Sequence, residues 1–142
     1  MTTGQLHKVP AEQVPANRRR GGDVRVTLSP KTVGSTSGFG GVMWLEPGDR
    51  VTEHYHPYSE EFVHVIAGQV EMTVDGAAFE LGAGDSLMVP INARHKMVNA
   101  GDEVAHLVFH LSPLAPRPEL GHVDTEGVSQ PEQSEPQVGG VK

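Results

Sequence analysis

Short apolar segments follow one another at turn-sized intervals from Val24 to Leu111: VRVTLSP, FGGVMWLE, EFVHVIAG, QVEMTVDG, AAFELGAG, DSLMVP, HKMVNAG and VAHLVFHL. In QVEMTVDG the alternation is clean. Val70, Met72 and Val74 share one face, and Gln69, Glu71, Thr73 and Asp75 share the other, the period of two that a half-buried strand requires. Asp75-Gly76 comes next, a pair that accepts the left-handed backbone of a tight hairpin. With 17 glycines and 11 prolines punctuating the chain, the pattern predicts an all-β sandwich or barrel. The folded domain is expected over residues 23–123, after an N-terminal arm over 1–22. The remainder, DTEGVSQPEQSEPQVGGVK over 124–142, has no aromatic residue and offers little to a core, so a mobile tail is expected there.

Composition narrows the chemistry. A chain of 142 residues favours one domain. No cysteine is present, which excludes disulfides, thiolate metal sites and a cysteine nucleophile. The N-terminal stretch lacks the apolar run of a secretory signal, and no apolar segment is long enough to cross a bilayer; a cytoplasmic location is the expectation. A net charge of -7 argues against nucleic acid as the partner. Arg18, Arg19 and Arg20 form the one basic run, read either as a solvated arm or as a docking point for a phosphate or an acidic partner.

Eight histidines stand at positions 7, 54, 56, 64, 95, 106, 110 and 122. His54 and His56 are two apart, so in a strand both imidazoles point to one side and can share a ligand. Pro57 then turns the chain. A carboxylate from Glu60 or Glu61, at the start of the next strand, can face the pair. Imidazoles with a carboxylate suit Fe, Mn, Ni, Co or Zn. His7 and His122 belong to no pattern and default to the surface.

Two spaced motifs then carry a resemblance. Gly48, His54, Tyr55, His56, Glu61 and Gly68 resemble the first cupin motif. Gly84, Pro90, Asn92 (usually Gly), His95 and Asn99 resemble the second. Asn tolerates the left-handed backbone that the usual Gly would supply. The resemblance implies a single-domain cupin, a double-stranded β-helix or jelly-roll barrel, with His54, His56, Glu61 and His95 as metal ligands. In that fold the strand carrying Glu61 runs antiparallel to VAHLVFHL. Placing Glu61 opposite His110 puts Val63 and Val65 against Val108 and His106. His110 is then an extra ligand, a replacement for Glu61, a base beside the ligands, or only a hydrogen-bond partner of Glu61. Catalytic roles are accordingly expected for His110 and Glu61. Glu60, Phe62 and His64 face away, and His106 is an outside candidate deeper in the cavity. A register shift of one residue exchanges Glu60 for Glu61.

The phrases RRRGGDVRVTLSPKTVGSTSGF, EHYHPYSEEF and PLAPRPELGHVDTE further resemble the small cupin proteins encoded with aromatic (type II) polyketide synthases, the tetracenomycin, curamycin and spore-pigment cyclase-like group, in which cyclases of the resistomycin kind also fall. This implies a metal-dependent polyketide cyclase of antibiotic or pigment biosynthesis, closing a ring of a poly-β-keto chain by aldol chemistry. The implied cofactor is a divalent metal, zinc foremost, with iron, manganese or nickel as alternatives. Two other readings stay open: a cupin oxygenase acting on an aromatic polyketide such as an anthrone or quinol, and a non-catalytic binding cupin that assists other cyclases. Implied partners are the polyketide intermediate, a second copy of the chain in a homodimer with DVRVTLSP as a candidate swapped arm, and an acyl carrier protein with other synthase components. Phe39, Met43, Trp44, Met88, Met97 and Phe109 are candidates for an apolar cavity wall.

Overall fold

The alternating segments become ten strands in a computed structural model that describes residues 7–136. Positions 1–6 and 137–142, parts of the expected arm and tail, lie outside the described residues. The strands are β1 (Asp23–Leu28), β2 (Phe39–Leu45), β3 (Arg50–Tyr55), β4 (Glu60–Ala67), β5 (Gln69–Val74), β6 (Ala77–Gly82), β7 (Ser86–Val89), β8 (His95–Val98), β9 (Ala105–Ser112) and β10 (Val123–Asp124). They form two antiparallel five-stranded sheets, in the orders β1-β2-β9-β4-β7 and β10-β3-β8-β5-β6. Consecutive strands largely alternate between sheets, so the inner faces of both contribute to one core. Val63, Val65 and Leu107 come from the first sheet; Val70, Met72 and Met97 come from the second. Fully burying such a side chain stabilises by about 1.5–3 kcal/mol.

The β5–β6 hairpin turns as its sequence requires, with positive φ at Asp75 (48°) and Gly76 (83°). Strand β1 pairs with β2 of the same chain, Val24 opposite Met43 and Val26 opposite Gly41, rather than reaching out as a free arm.

Two expectations give way. In the β4–β9 pair, Glu61 lies opposite Leu111 and Phe62 opposite His110. The register is one residue from the expected one, and Val63 and Val65 face Phe109 and Leu107. Residues 124–136 do not behave as a free tail. Val123 and Asp124 add a strand beside Tyr55 and His54, and Gln130 donates its backbone N–H to Arg19 O. What holds this segment is largely polar, so its few apolar residues gave no sign of it. The arm takes part too. Asn17 bridges Val24, and Arg20 is buried at 8% exposure between Asp124 and Glu135. Arg20 is therefore an internal ion-pair residue, not part of a solvated basic face.

Candidate metal centre

His54 and His95 come together because β3 and β8 set them directly opposite one another. A bulge between Val51 and His54 shifts the register just before the site, the kind of irregularity that re-aims side chains. His56 lies one residue beyond β3, and its loop is fixed by Asn92, whose backbone N–H donates to His56 O at 3.0 Å. Asn92 has φ 71°, the left-handed conformation expected of it. Glu61 enters from the other sheet. The burial of β4 alternates from exposed Glu60 to buried Glu61 onward, which selects Glu61 over its neighbour.

The three imidazoles are all buried and offer nitrogens within 4.8 Å of one another. Each Nδ1 meets a backbone carbonyl: His54 with Thr52 O at 2.7 Å, His56 with Gly121 O at 2.9 Å, and His95 with Ala93 O at 2.9 Å. A carbonyl only accepts, so each Nδ1 carries the hydrogen, and in the neutral ring Nε2 keeps its lone pair. That is how metal-binding histidines are ordinarily oriented. Glu61 Oε1 lies 3.0 Å from His95 Nε2 and 3.3 Å from His56 Nε2. These approaches are close but not aligned as hydrogen bonds, so Glu61 Oε1 and His95 Nε2 remain buried without a partner. Buried lone pairs that converge without hydrogens between them fit a cation, and the N3O donor set suits a borderline divalent metal.

The electrostatics favour a neutral His54 and an ionised Glu61, and draw a proton toward His95. Burial, with His95 and His56 beside it, holds His54 well below the ordinary imidazole value. Burial pushes Glu61 up, but the His56 and His95 imidazoles outweigh it, and the carboxyl sits well below the usual carboxylate range. Burial opposes protonation of His95 while Glu61 favours it, and the balance is upward.

An apolar cavity of about 80 Å³ opens onto the cluster. Phe39, Met43, Met97 and Phe109 line it as expected. Trp44 does not: it stacks on His106 with ring centroids 4.6 Å apart, opposite it across β2 and β9. Met88 is also outside, at 46% exposure.

His110 is exposed, beside Phe62 on the outer face of the first sheet. The one-residue register difference turns it away from the histidine cluster, where it was expected as ligand or catalytic group. His64 is exposed as expected and meets Ser86 Oγ at 2.8 Å. His106 faces outward with Trp44 instead of deepening the cavity.

The fold and both halves of the motif pair converge on one assignment. The Cupin domain family model matches residues 41–111. The chain belongs to the cupin family. This cupin is 58% identical over 118 residues to "Polyketide synthase CurC" of Streptomyces cyaneus, covering 83% of the chain and 77% of that protein. It is 45% identical over 139 residues to "Tetracenomycin polyketide synthase protein TcmJ" of Streptomyces glaucescens, covering 98% and 93%. Among solved structures, the nucleoside dehydratase Pac13 superposes with a TM-score of 0.72 at 20% identity, covering 91% of this chain and 98% of that one; at that identity the likeness is one of fold.

One group at the cupin site escaped the sequence reading. His122, assigned to the surface by default, lines the cavity. Its ring centroid is 5.1 Å from that of His56, and both of its ring nitrogens are buried without partners. Burial and the neighbouring His56 hold it well below the ordinary imidazole value. It stands outside the 4.8 Å cluster. The signal that places it is register: with Val123 opposite Tyr55 and Asp124 opposite His54, His122 comes next to His56. A strand of two residues leaves no period in the sequence to read. Among the described residues, no helix is long and apolar enough to cross a membrane.

Proposed function

We propose that this chain is a metal-dependent cyclase of aromatic polyketide biosynthesis, joining two carbons of a poly-β-keto chain by an aldol-type closure followed by loss of water. The observation that carries the reading is the set of three imidazoles, each locked by a backbone carbonyl so that its bare nitrogen converges beside Glu61 at the end of an apolar cavity. Two relatives named as polyketide synthase proteins support the substrate class.

His54, His56, His95 and Glu61 would hold the metal, for which zinc suits the donor set. When bound, the metal supplies Lewis acidity toward a carbonyl oxygen and the enolate derived from it. The chain's own groups do the rest. The walls of Phe39, Met43, Met97 and Phe109 fold an apolar substrate and keep water away. His122, with two unpartnered ring nitrogens facing the cavity, takes a proton at one of them from the carbon between two carbonyls. That carbon bonds to a second carbonyl carbon, whose oxygen takes up the proton; elimination of water then yields the aromatic ring. Glu61 completes the donor set, and its carboxylate takes part in the proton movements. His110 has no part. Homodimerisation, delivery of the substrate by an acyl carrier protein and a cytoplasmic location belong to the same reading. The outer face of the first sheet, where Phe62, Ile66, Met88 and Val108 are exposed, is where a second copy would pack.

The test is product analysis with a reconstituted polyketide synthase, run without oxygen. The zinc-loaded chain is expected to redirect the product to one regiospecifically cyclised aromatic, and a His54→Ala, His95→Ala double variant to lose this. Full activity in that double variant would reduce the chain to a binding protein; a strict requirement for oxygen would make it an oxygenase.

A further inference from the structure

The space around the histidines, about 80 Å³, is well below the ~300–1,000 Å³ of ordinary small-molecule sites. Beyond its wall lies a cleft of about 480 Å³ between the arm, β1 and residues 133–136. Asn17, Val24, Val26 and Pro136 border both spaces. The C-terminal segment is thus part of the partition between them.

That segment is attached by polar contacts. Arg19 Nη1 donates to Gln133 O and Pro131 O at 2.6 and 3.0 Å, Asn17 Nδ2 donates to Ser134 O at 3.1 Å, and Arg18 N donates to Gln133 Oε1 at 2.7 Å. No residue from 130 to 136 is buried. Segments held in this way, with little apolar burial, open at small free-energy cost.

Arg20 is different. Its guanidinium is buried and grips two carboxylates. Asp124 takes Nε at 2.7 Å and Nη2 at 3.2 Å, and it is fixed in β10 opposite His54. Glu135, from the loosely held segment, takes the same Nη2 at 2.9 and 3.2 Å. Arg19 Nε, 3.5 Å from Glu135, is buried without a hydrogen bond. When the segment moves away, Arg20 keeps Asp124, but Nη2 loses its better acceptor and Arg19 loses the Glu135 carboxylate beside it. Arg19 and Arg20 then face the single carboxylate of Asp124 at the mouth of an apolar space, a net positive charge that an anion can meet.

We propose that residues 130–136 are a strap across the entrance of a larger joined site, and that the Glu135 carboxylate occupies on Arg20 the place taken by an acidic group, a carboxylate or acidic enol, of an elongated apolar ligand. The inference concerns entry and binding and holds whatever reaction follows. It also makes Arg20 a specificity-determining residue.

The test uses the full chain and two tricyclic fluorescent probes, anthracene-2-carboxylate and the uncharged anthracene-2-carboxamide. In Glu135→Gln the carboxylate is expected to bind about tenfold tighter, the scale of a freed charge-assisted contact, with a smaller gain for the carboxamide. Equal gains for the two probes, or none, would overturn the role given to Arg20. A second variant, Asn17→Cys with Ser134→Cys, ties the strap to the arm by a disulfide in a chain that otherwise has no cysteine. Oxidised, it is expected to lose probe binding, and dithiothreitol is expected to restore it. Unchanged binding to the oxidised form would show that the strap does not gate the site.

Discussion

Replacing His95 by alanine is the sharpest test of the metal centre. It deletes one imidazole and leaves its cross-strand partner His54 in place. A four-donor zinc site is worth about 10–16 kcal/mol at neutral pH, so an even share is about 3 kcal/mol per donor. At about 1.4 kcal/mol per factor of ten, zinc affinity should fall ~100-fold or more. The same loss appears in stability. At zinc a thousandfold above its dissociation constant, linkage stabilises the wild-type fold by about 4 kcal/mol. A hundredfold weaker variant at the same zinc concentration keeps only about 1.4 kcal/mol. For a chain of this size, each kcal/mol moves the melting temperature by about 3–5 °C, so the zinc-induced shift should shrink by roughly 8–13 °C. Competition with a chromophoric chelator reads the affinity, and thermal unfolding with and without zinc reads the linkage. His110→Ala, on the outer face, is the control and should leave both unchanged. If His95→Ala binds zinc as tightly as the wild type, or if His110→Ala weakens it equally, the ligand assignment is wrong.

Three further outcomes can be measured by urea unfolding. Asn99 is fully buried, donates to Leu45 O and Glu103 O, both at 2.8 Å, and accepts from Gly101 N; Asn99→Ala strands these groups and should cost about 2–4 kcal/mol. Gly68 has φ 79°, and an added Cβ would lie 2.7 Å from both Ala105 Cα and Val104 O, whereas at Gly84, φ 93°, it would meet nothing within 4 Å. Gly68→Ala should therefore be the more damaging of the two by about 1–3 kcal/mol, and equal losses would mean that backbone strain alone governs both. Glu126 is held below the usual carboxylate range chiefly by the Glu53 N–H, with Arg50 assisting. Because its folded pKa is depressed, its stabilisation is complete above the unfolded value near 4.5 and is lost as pH falls through the folded one. The wild type should thus lose more stability on acidification below about pH 4.5 than Glu126→Gln does; parallel curves would refute the link.

Much of the site was legible because it depends on parity within a strand. His54 and His56, two apart, point together, and Glu61 rather than Glu60 faces inward with Val63 and Val65. His110 failed for a reason internal to the same rule. Deciding which side of β9 faces the core requires its register with β4, and both of its faces carry apolar residues: Leu107, Phe109 and Leu111 inward, Val108 outward. His106, His110 and Ser112 share the outer face with Val108, but histidines are also what a metal cavity presents, so this stripe did not mark the solvent side, and a one-residue slip moves every side chain to the other face. Trp44 and His106 were misplaced similarly, since an aromatic pair stacked on an outer face reads as core. His122 and the strap were illegible for another reason. His122 is placed by strand pairing with Tyr55 and His54, and the strap by ion pairs and hydrogen bonds to arginines more than a hundred positions earlier, which no local period records.

The segment from Gly121 to Pro136 therefore joins two functions that composition would assign to neither. Gly121 O fixes the His56 tautomer, and His122 faces the cavity one residue later. Asp124 then anchors Arg20, and Arg20 in turn holds Glu135. The two halves differ in how firmly they are bound. Gly121 to Asp124 is tied by an imidazole hydrogen bond, a strand pairing and a bidentate ion pair. Residues 130–136 are tied by polar contacts and contain no buried residue. Local opening follows the weakest unit first, so the strap can release without loosening Gly121 or disturbing His56. A site that must stay preorganised while admitting a ligand much larger than its resting cavity needs that separation, and a single polar segment provides it.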